Sequence, residues 1–333
     1  MSDTTISSRT QALAGMWQRL LQIESIGPQD NFFDLGGDSA LAVQLFSEIE
    51  GVFGQQLPPV MIYHVPTISS MAALLEKRTA PNLSPLISLK EGSQGPPVFI
   101  ASGLGGGPAE FFQLAKYSRS RNSIYGLQPK GIEGFDEPCE LIEDMADHYL
   151  NGVRQLQPGG PYILIGYSLG GLVTLEMARH LQANREKVAL LIMLDSYPDI
   201  KALRPAQYLR LFSQRIKRRL TSIGQRSRSG LRLGGLPSRD AISTFAPAFE
   251  QVRGAAYRAL RRYRPTFYPG PVKFIRAAEV TDFPEDPNVV WSHLIPRLEV
   301  ETVPGDHLGM LTTHYESLAH VIDTHLAMAA GNT

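Results

Sequence analysis

The stretch Tyr162-Ile163-Leu164-Ile165-Gly166-Tyr167-Ser168-Leu169-Gly170-Gly171 runs an apolar segment straight into a G-x-S-x-G, and the apolar-periodic segment Leu172 to Leu181 follows. The apolar segment reads as a buried strand, the motif as a sharp turn and the periodic segment as a helix. A nucleophilic serine needs its hydroxyl exposed on a strained turn, with small residues on both sides so that the backbone can cross closely. Gly166 and Gly170 meet that need. The helix after the turn aims its free N–H groups at negative charge developing beside the serine. A bare G-x-S-x-G recurs by chance in Gly-rich turns. The strand before it and the helix after it are what make it a nucleophile elbow, which requires a sheet to stand on.

That sheet is legible around the elbow. From Val98 onward, short apolar runs at Val98–Ala101, Ile124–Leu127, Tyr162–Ile165, Ala189–Leu194, Val272–Ala277 and Leu298–Val303 alternate with helical stripes. The stripes lie near Pro108–Tyr117, Leu141–Leu156, Leu172–Leu181, Pro287–Leu294 and His314–Met328. Fully apolar strands separated by amphipathic helices predict an α/β architecture with a mostly parallel sheet covered on both faces. Ile200–Pro265 interrupts the rhythm. Its stripes, Tyr208 to Leu220 and Phe245, Phe249, Val252, Tyr257 and Leu260, predict a helical lid over about 200–265.

A serine hydroxyl is a poor nucleophile until a base takes its proton, and the base needs an acid to fix its tautomer and stabilise its cation. In α/β hydrolases, which carry such an elbow, the acid and the base follow the serine, in that order. Asp195 ends the run Ala189–Leu194 and so stands at the carboxyl end of a strand, with Asp199 as a competing acid. Of eight histidines, His64 and His148 precede the serine, and His180 lies on the elbow helix, about 18 Å along its axis. His314, His320 and His325 fall on the final helix, where an exposed role is expected. His307, in the loop Val303-Pro304-Gly305-Asp306-His307 after the last strand, is the candidate base. The developing oxyanion needs two donors. One is the Leu169 N–H; the other should come from the Gly-rich loop Ala101–Gly107 after the first strand. That loop lacks a G-x-G-x-x-G spacing with an acidic partner, which argues against a dinucleotide site.

The first eighty residues are different. Leu13, Trp17, Leu20 and Leu21 form one helical stripe, and Leu41, Leu45, Phe46, Ile49 and Phe53 form another that opens at Ser39 and closes at Gly54. Shorter apolar segments at Val60–Tyr63 and Ile68–Leu75 complete a small helical bundle. Residues 1–79 carry eight acids and four bases, a balance of −4, whereas 201–239 carry eleven Lys or Arg and no acid. The chain as a whole is neutral, which argues against a nucleic-acid partner. Cys139 is the only cysteine, so no intrachain disulfide forms and multi-thiolate metal sites are excluded; no metal site is expected. The polar N-terminus and the lack of any long apolar run predict a soluble, cytoplasmic chain without a membrane span.

The stretch Asp30-Asn31-Phe32-Phe33-Asp34-Leu35-Gly36-Gly37-Asp38-Ser39, with Trp17 upstream and Pro66-Thr67-Ile68 downstream, resembles the peptidyl carrier (thiolation) domain of nonribosomal peptide synthetases. The resemblance implies a four-helix carrier over residues 1–78, with 4′-phosphopantetheine on Ser39. A serine at a helix N-terminus suits a phosphodiester. Gly36 and Gly37 would let a modifying phosphopantetheinyl transferase approach; Asp38 or Ser39 reads on composition as an ordinary N-cap, while Asp38 beside an anionic phosphate has no electrostatic rationale. Ala40 stands where that family commonly has a larger aliphatic residue. Residues 79–97, rich in Pro, Ser and Gly, read as a flexible tether.

A second resemblance covers Pro96 to Leu326. The S-P-L-x-x-L opening at Ser84–Leu89, Tyr125-Gly126-Leu127-Gln128, the elbow and Gly305-Asp306-His307 are similar to terminal thioesterase domains of peptide synthetases and polyketide systems. It implies an α/β-hydrolase domain over 98–330. Matched motif to motif, Ser168 is the nucleophile, Asp195 the acid, His307 the base and Leu104 N–H the second oxyanion donor. Ser102-Gly103-Leu104 departs from the His-Pro-Ala type segment frequent there.

Together these imply a carrier–thioesterase didomain that releases, by hydrolysis or cyclisation, a product held on its own carrier and supplied by upstream adenylation and condensation domains or their equivalent. A free-ester lipase or esterase and a non-catalytic acyl-carrier docking module are the alternatives. The basic segment 201–239 is a solvated helix face and linker, or, as a lesser reading, an attractor for the carrier or an anionic substrate.

Overall fold

The computed structural model describes residues 2–76, 83–203, 207, 246–279 and 286–331. The chain divides into two compact units, one built on Met1–Ser84 and the other on Pro85–Lys130 with most of the chain after Pro138.

In the first unit, α1 (Ser2–Leu21), α2 (Ser39–Phe53), a 3-10 turn (Pro59–Tyr63) and α3 (Ile68–Glu76) enclose one core. The fourth element of the expected four-helix bundle is thus a 3-10 turn, because Pro58 and Pro59 remove the amide hydrogens a longer helix would use. Trp17 and Phe32, both fully buried, meet edge to face at 5.0 Å, and Phe33 stacks on Tyr63 at 5.2 Å. Phe32 N–H donates to Pro66 O at 2.8 Å, tying the long loop before α2 to the start of α3. Thr67 and Ser70 cap α3 reciprocally, each hydroxyl accepting the other's backbone N–H at 3.1 and 3.2 Å.

Asp38 has a structural reason after all. It is the N-cap of α2, its Oδ1 accepting the Leu41 N–H at 2.8 Å. Gly37 has an internal one too: a Cβ there would stand 2.3 Å from the Phe32 ring and 2.6 Å from Phe32 O.

The second unit is a seven-stranded sheet: β1 (Leu86–Lys90), β2 (Val98–Ala101), β3 (Ile124–Leu127), β4 (Tyr162–Tyr167), β5 (Val188–Leu194), β6 (Pro271–Ala277) and β7 (Arg297–Val303). The order is β1-β3-β2-β4-β5-β6-β7, with β1 antiparallel to β3 and every other pair parallel. β1 lies inside the stretch whose composition reads as a tether. Four of its five residues pair with β3, the register shifting at Leu89, and the Pro and Gly on either side hide so short a strand from any compositional window. β2 feeds β3 on one side, while β4 lies on its other side. The order therefore reverses at the carboxyl ends of β2 and β4, the crevice where such sheets hold ligands.

Side chains alternate across the sheet. Ile163, Ile165 and Tyr167 of β4 face one core with α4 (Phe112–Tyr117) and the last helix, Tyr315–Gly331. Tyr162 and Leu164 face the other, with α5 (Ile142–Leu156), α6 (Leu169–Ala183) and α7 (Ala246–Arg262). Of the expected lid, α7 and the 3-10 turn Ile200–Ala202 are described, while Tyr208 to Leu220 and most of the basic stretch 201–239 lie outside the described residues. The buried face of α7 carries Val252, Ala255, Ala256 and Ala259. Tyr257, assigned to that face by periodicity, is 49% exposed, because its ring packs beneath the Arg261 guanidinium at the surface.

Glu176, 3% exposed in the middle of α6, accepts from Arg179 Nη1 at 2.7 and 2.8 Å and from the Tyr263 hydroxyl at 2.8 Å, just past the end of α7. Glu176→Ala would leave a buried hydroxyl and a cation short of their acceptor. We expect it to cost about 3 kcal/mol in urea unfolding, with Tyr263→Phe costing less.

Candidate active site

The elbow is strained, as a candidate nucleophile's turn is expected to be. Ser168, between β4 and α6, holds φ 54° and ψ −118°, a region a non-glycine residue occupies only when its surroundings force it. The surroundings do. A Cβ on Gly166 would sit 2.3 Å from Gly170 O, and one on Gly170 would sit 2.3 Å from Ala101 O. Ser168 N–H donates to Leu194 O at 2.9 Å, and the Ser196 hydroxyl donates to Ser168 O at 2.5 Å, so the turn is clamped by the end of β5.

Asp195 follows β5, is 3% exposed and is held at φ 44° with its N–H donating to Ile275 O at 2.8 Å. Its Oδ2 lies 2.7 Å from His307 Nδ1, although 112 residues separate them. The competing acid, Asp199, instead accepts the Lys201 N–H at 2.8 Å in its own turn. His307 stands in the loop after β7, which turns at Gly305 with φ 90° and is braced by Asp306 accepting the Gly309 N–H at 2.6 Å. The structure thus brings Asp195 and His307 into contact and sets Ser168 on the neighbouring strand end.

The other histidines belong elsewhere. His180 Nδ1 meets Asp147 at 2.9 Å. His325, expected to be exposed, is only 4% exposed, with Nε2 2.8 Å from Glu301; it lies on the face of its helix that packs against the sheet.

Sequence reading passed over Tyr167. Its hydroxyl donates to His307 O at 2.7 Å, and its ring stacks on the imidazole with centroids 4.8 Å apart. A signal was present: Tyr167 continues the Ile163–Ile165 face, so a hydroxyl there needs an acceptor on that side of the sheet. Burial and the carboxylates of Glu110, Asp195 and Asp306 push its ionisation far above the ordinary tyrosine range, keeping it a donor. Tyr167→Phe keeps the stack and loses the tether. A several-fold fall in kcat with little change in KM is expected, readable in steady-state kinetics.

The loop after β2 carries the oxyanion candidates. Neither the Leu169 nor the Leu104 N–H has a backbone acceptor among the described residues. Leu169 is buried at the start of α6, and Leu104 is 37% exposed. A Cβ on Gly103 would lie 3.3 Å from Ser168 Cβ, which places the loop against Ser168. Two further residues hold it: the Ser102 hydroxyl donates to Gly106 O at 2.9 Å, and the Glu110 carboxyl lies against Gly106, where an added Cβ would stand 1.9 Å from its Oε1.

Glu110 keeps an exposed flank, yet the protein around its carboxyl strips enough water to push it up to about 7, the Gly103 N–H opposing the shift. Between about 4.5 and about 7 the folded chain keeps a proton that the unfolded chain has released, so stability falls as pH rises through that window. Glu110→Gln cannot ionise and should lose that slope, as urea midpoints across the range would show.

In the first unit, Ser39 opens α2 with Asp38 as its cap. The N–H groups of that first helical turn suit a phosphodiester on the serine. Among the described residues no group of three or more His, Cys, Asp or Glu could hold a metal ion, and no helix is long and apolar enough to cross a membrane.

Comparisons with known proteins match this division. The thioesterase domain family covers residues 96–326, and the phosphopantetheine attachment site family covers 11–75. The chain is 38% identical over 190 residues to a dimodular nonribosomal peptide synthase of Bacillus subtilis (strain 168), a match covering 57% of this chain and 8% of that one. Over 202 residues it is 35% identical to an indigoidine synthase of Streptomyces lavendulae, covering 59% and 16%. Across eight such relatives it spans from 2% to 19% of their length. Among solved structures, holo-AB3403, a four-domain nonribosomal peptide synthetase, superposes with TM-score 0.57 at 25% identity over 95% of this chain and 26% of that one. The NocB thioesterase domain, at TM-score 0.53 and 24% identity over 71% and 95%, shares the fold.

Proposed function

Because the chain belongs to the thioesterase domain family and joins that domain to a phosphopantetheine attachment site, we propose that it releases an acyl or peptidyl group held on its own carrier, with Ser168 as nucleophile. The observation that carries this reading is the 2.7 Å pairing of His307 with Asp195 beside the strained Ser168 turn.

Ser39 would hold the phosphopantetheine. When bound, that group supplies a thiol on which the acyl group rides as a thioester. His307 takes the Ser168 proton as Oγ attacks the carbonyl carbon, with Asp195 fixing the imidazole tautomer and stabilising its charge. The Leu169 and Leu104 N–H groups receive the oxyanion. His307 then returns the proton to the departing sulfur, leaving the acyl group on Ser168. Water, or a nucleophile within the acyl chain, next gives its proton to His307 as it attacks and frees the product. The phosphopantetheine would be attached by a phosphopantetheinyl transferase and acylated by synthetase domains in the same or another chain.

Intact-protein mass spectrometry after loading with a promiscuous transferase and acyl-CoA analogues tests this. Wild type should gain the arm and then lose the acyl mass, Ser39→Ala should gain neither, and a fluorophosphonate should label Ser168. An arm that never appears on Ser39, alongside full activity on free esters in Ser39→Ala, would replace the reading with that of a free-ester hydrolase.

A further inference from the structure

A pocket opens beside the elbow, entirely within the second unit. Gly103 and Leu169, at the two candidate oxyanion donors, line it. An acyl carbonyl seated on those donors would therefore have its chain open onto the pocket. Met145 of α5, Val173 of α6, and Val252 and Ala256 of α7 give that chain an apolar wall. Lys130, Cys139 and His148 also line the pocket, and among the described residues no Asp or Glu does.

Lys130 is exposed and makes no ion pair among the described residues. Its ammonium acts on the Cys139 thiol in the sense that favours charge. Burial acts the other way and is stronger, as does the weaker field of Asp144, which does not line the pocket. An apolar cleft that also carries a cation with no ion-pair partner among the described residues offers a poorly compensated positive charge to whatever fills it.

We propose that this pocket receives the acyl side chain and selects acyl groups whose apolar stem ends in a carboxylate, with the Lys130 ammonium as the selecting group. The proposal rests on the release reading above. It has a physical ceiling: a pair made at an exposed rim contributes a few-fold in affinity and is screened by salt.

The test compares adipoyl with monomethyl-adipoyl N-acetylcysteamine thioesters, which share a stem and differ in terminal charge. Wild type should favour the acid by about five-fold in kcat/KM at low salt. Lys130→Gln should abolish the preference, and Lys130→Glu should invert it. A binding readout is independent of turnover: the amide analogue of the acid should slow alkylation of Cys139, the single cysteine, more than its methyl ester does. Equal kcat/KM for the two thioesters, or a ratio untouched by Lys130→Glu, overturns the proposal while leaving thioester release intact. Charge-selective protection of Cys139 in a chain that turns over neither thioester and leaves Ser168 unlabelled would instead uphold the pocket and remove the release reading.

Discussion

Ser168→Ala is expected to slow discharge of a carrier-bound acyl group by about 10⁶-fold, and Asp195→Asn by about 10⁴-fold. The two differ because they remove different things. Without the Ser168 hydroxyl there is no acyl-enzyme. Without the Asp195 charge the serine remains, but His307 Nδ1, 2.7 Å away, loses the partner that fixes its tautomer and stabilises its cation. The combined variant should be scarcely slower than Ser168→Ala alone, since groups that act as a unit do not add. The measurement is time-resolved intact mass: in Ser168→Ala the acyl group should persist on Ser39 over times in which wild type is fully discharged. Discharge at the wild-type rate would mean that the nucleophile is not Ser168.

How much of this could be read beforehand depended on whether a residue's reason for being there is local. β2 and β3 fall where their apolar runs predict, Val98–Ala101 and Ile124–Leu127, because strands buried on both faces carry their signal in consecutive residues. β1 did not show itself: its burial is mixed, it stands at the sheet edge, and its neighbours are turn formers. Asp38 has no electrostatic reason to stand beside a phosphate, but of the two N-cap candidates the sequence offers it is the one that caps, its carboxylate accepting the Leu41 N–H. His325 looked like a surface histidine because helical position alone does not say which face meets the sheet.

The candidate site divides in the same way. Ser168, Asp195 and His307 are the candidates that chain order and strand ends pick out, and the structure pairs Asp195 with His307 and sets Ser168 at the neighbouring strand end. The residues that hold them in place, Tyr167, Ser196, Ser102 and Glu110, act through contacts such as Tyr167 with His307, 140 residues apart, that no spacing rule encodes. Leu104 was the weakest position from sequence, because Ser102-Gly103-Leu104 departs from the commoner segment. The structure adds that its neighbour Gly103 lies against Ser168 and that the Leu104 N–H has no backbone acceptor among the described residues.

Gly170→Ala is the other large effect to expect, and it separates the two units. The new methyl group would stand 2.3 Å from Ala101 O and 2.5 Å from Ser102 O, both backbone atoms at the carboxyl end of β2. A flexible side chain could move aside, but a carbonyl at the end of a central strand cannot without shifting the strand or withdrawing the elbow. We expect a loss above about 4 kcal/mol, far beyond the propensity gain of alanine over glycine in a helix. Gly159→Ala, where nothing lies within 4 Å, should be nearly neutral. The chain's two tryptophans make the effect assignable: Trp17 is buried in the first unit and Trp291 in the second. Urea unfolding followed by fluorescence in a Trp17→Phe background reports the sheet, and in a Trp291→Phe background it reports the helical unit. Gly170→Ala should lower the first midpoint sharply and leave the second where it was. Equal shifts in both would mean that the units unfold as one body, and no shift in either would mean that the elbow has room the crossing of β2 and α6 does not provide.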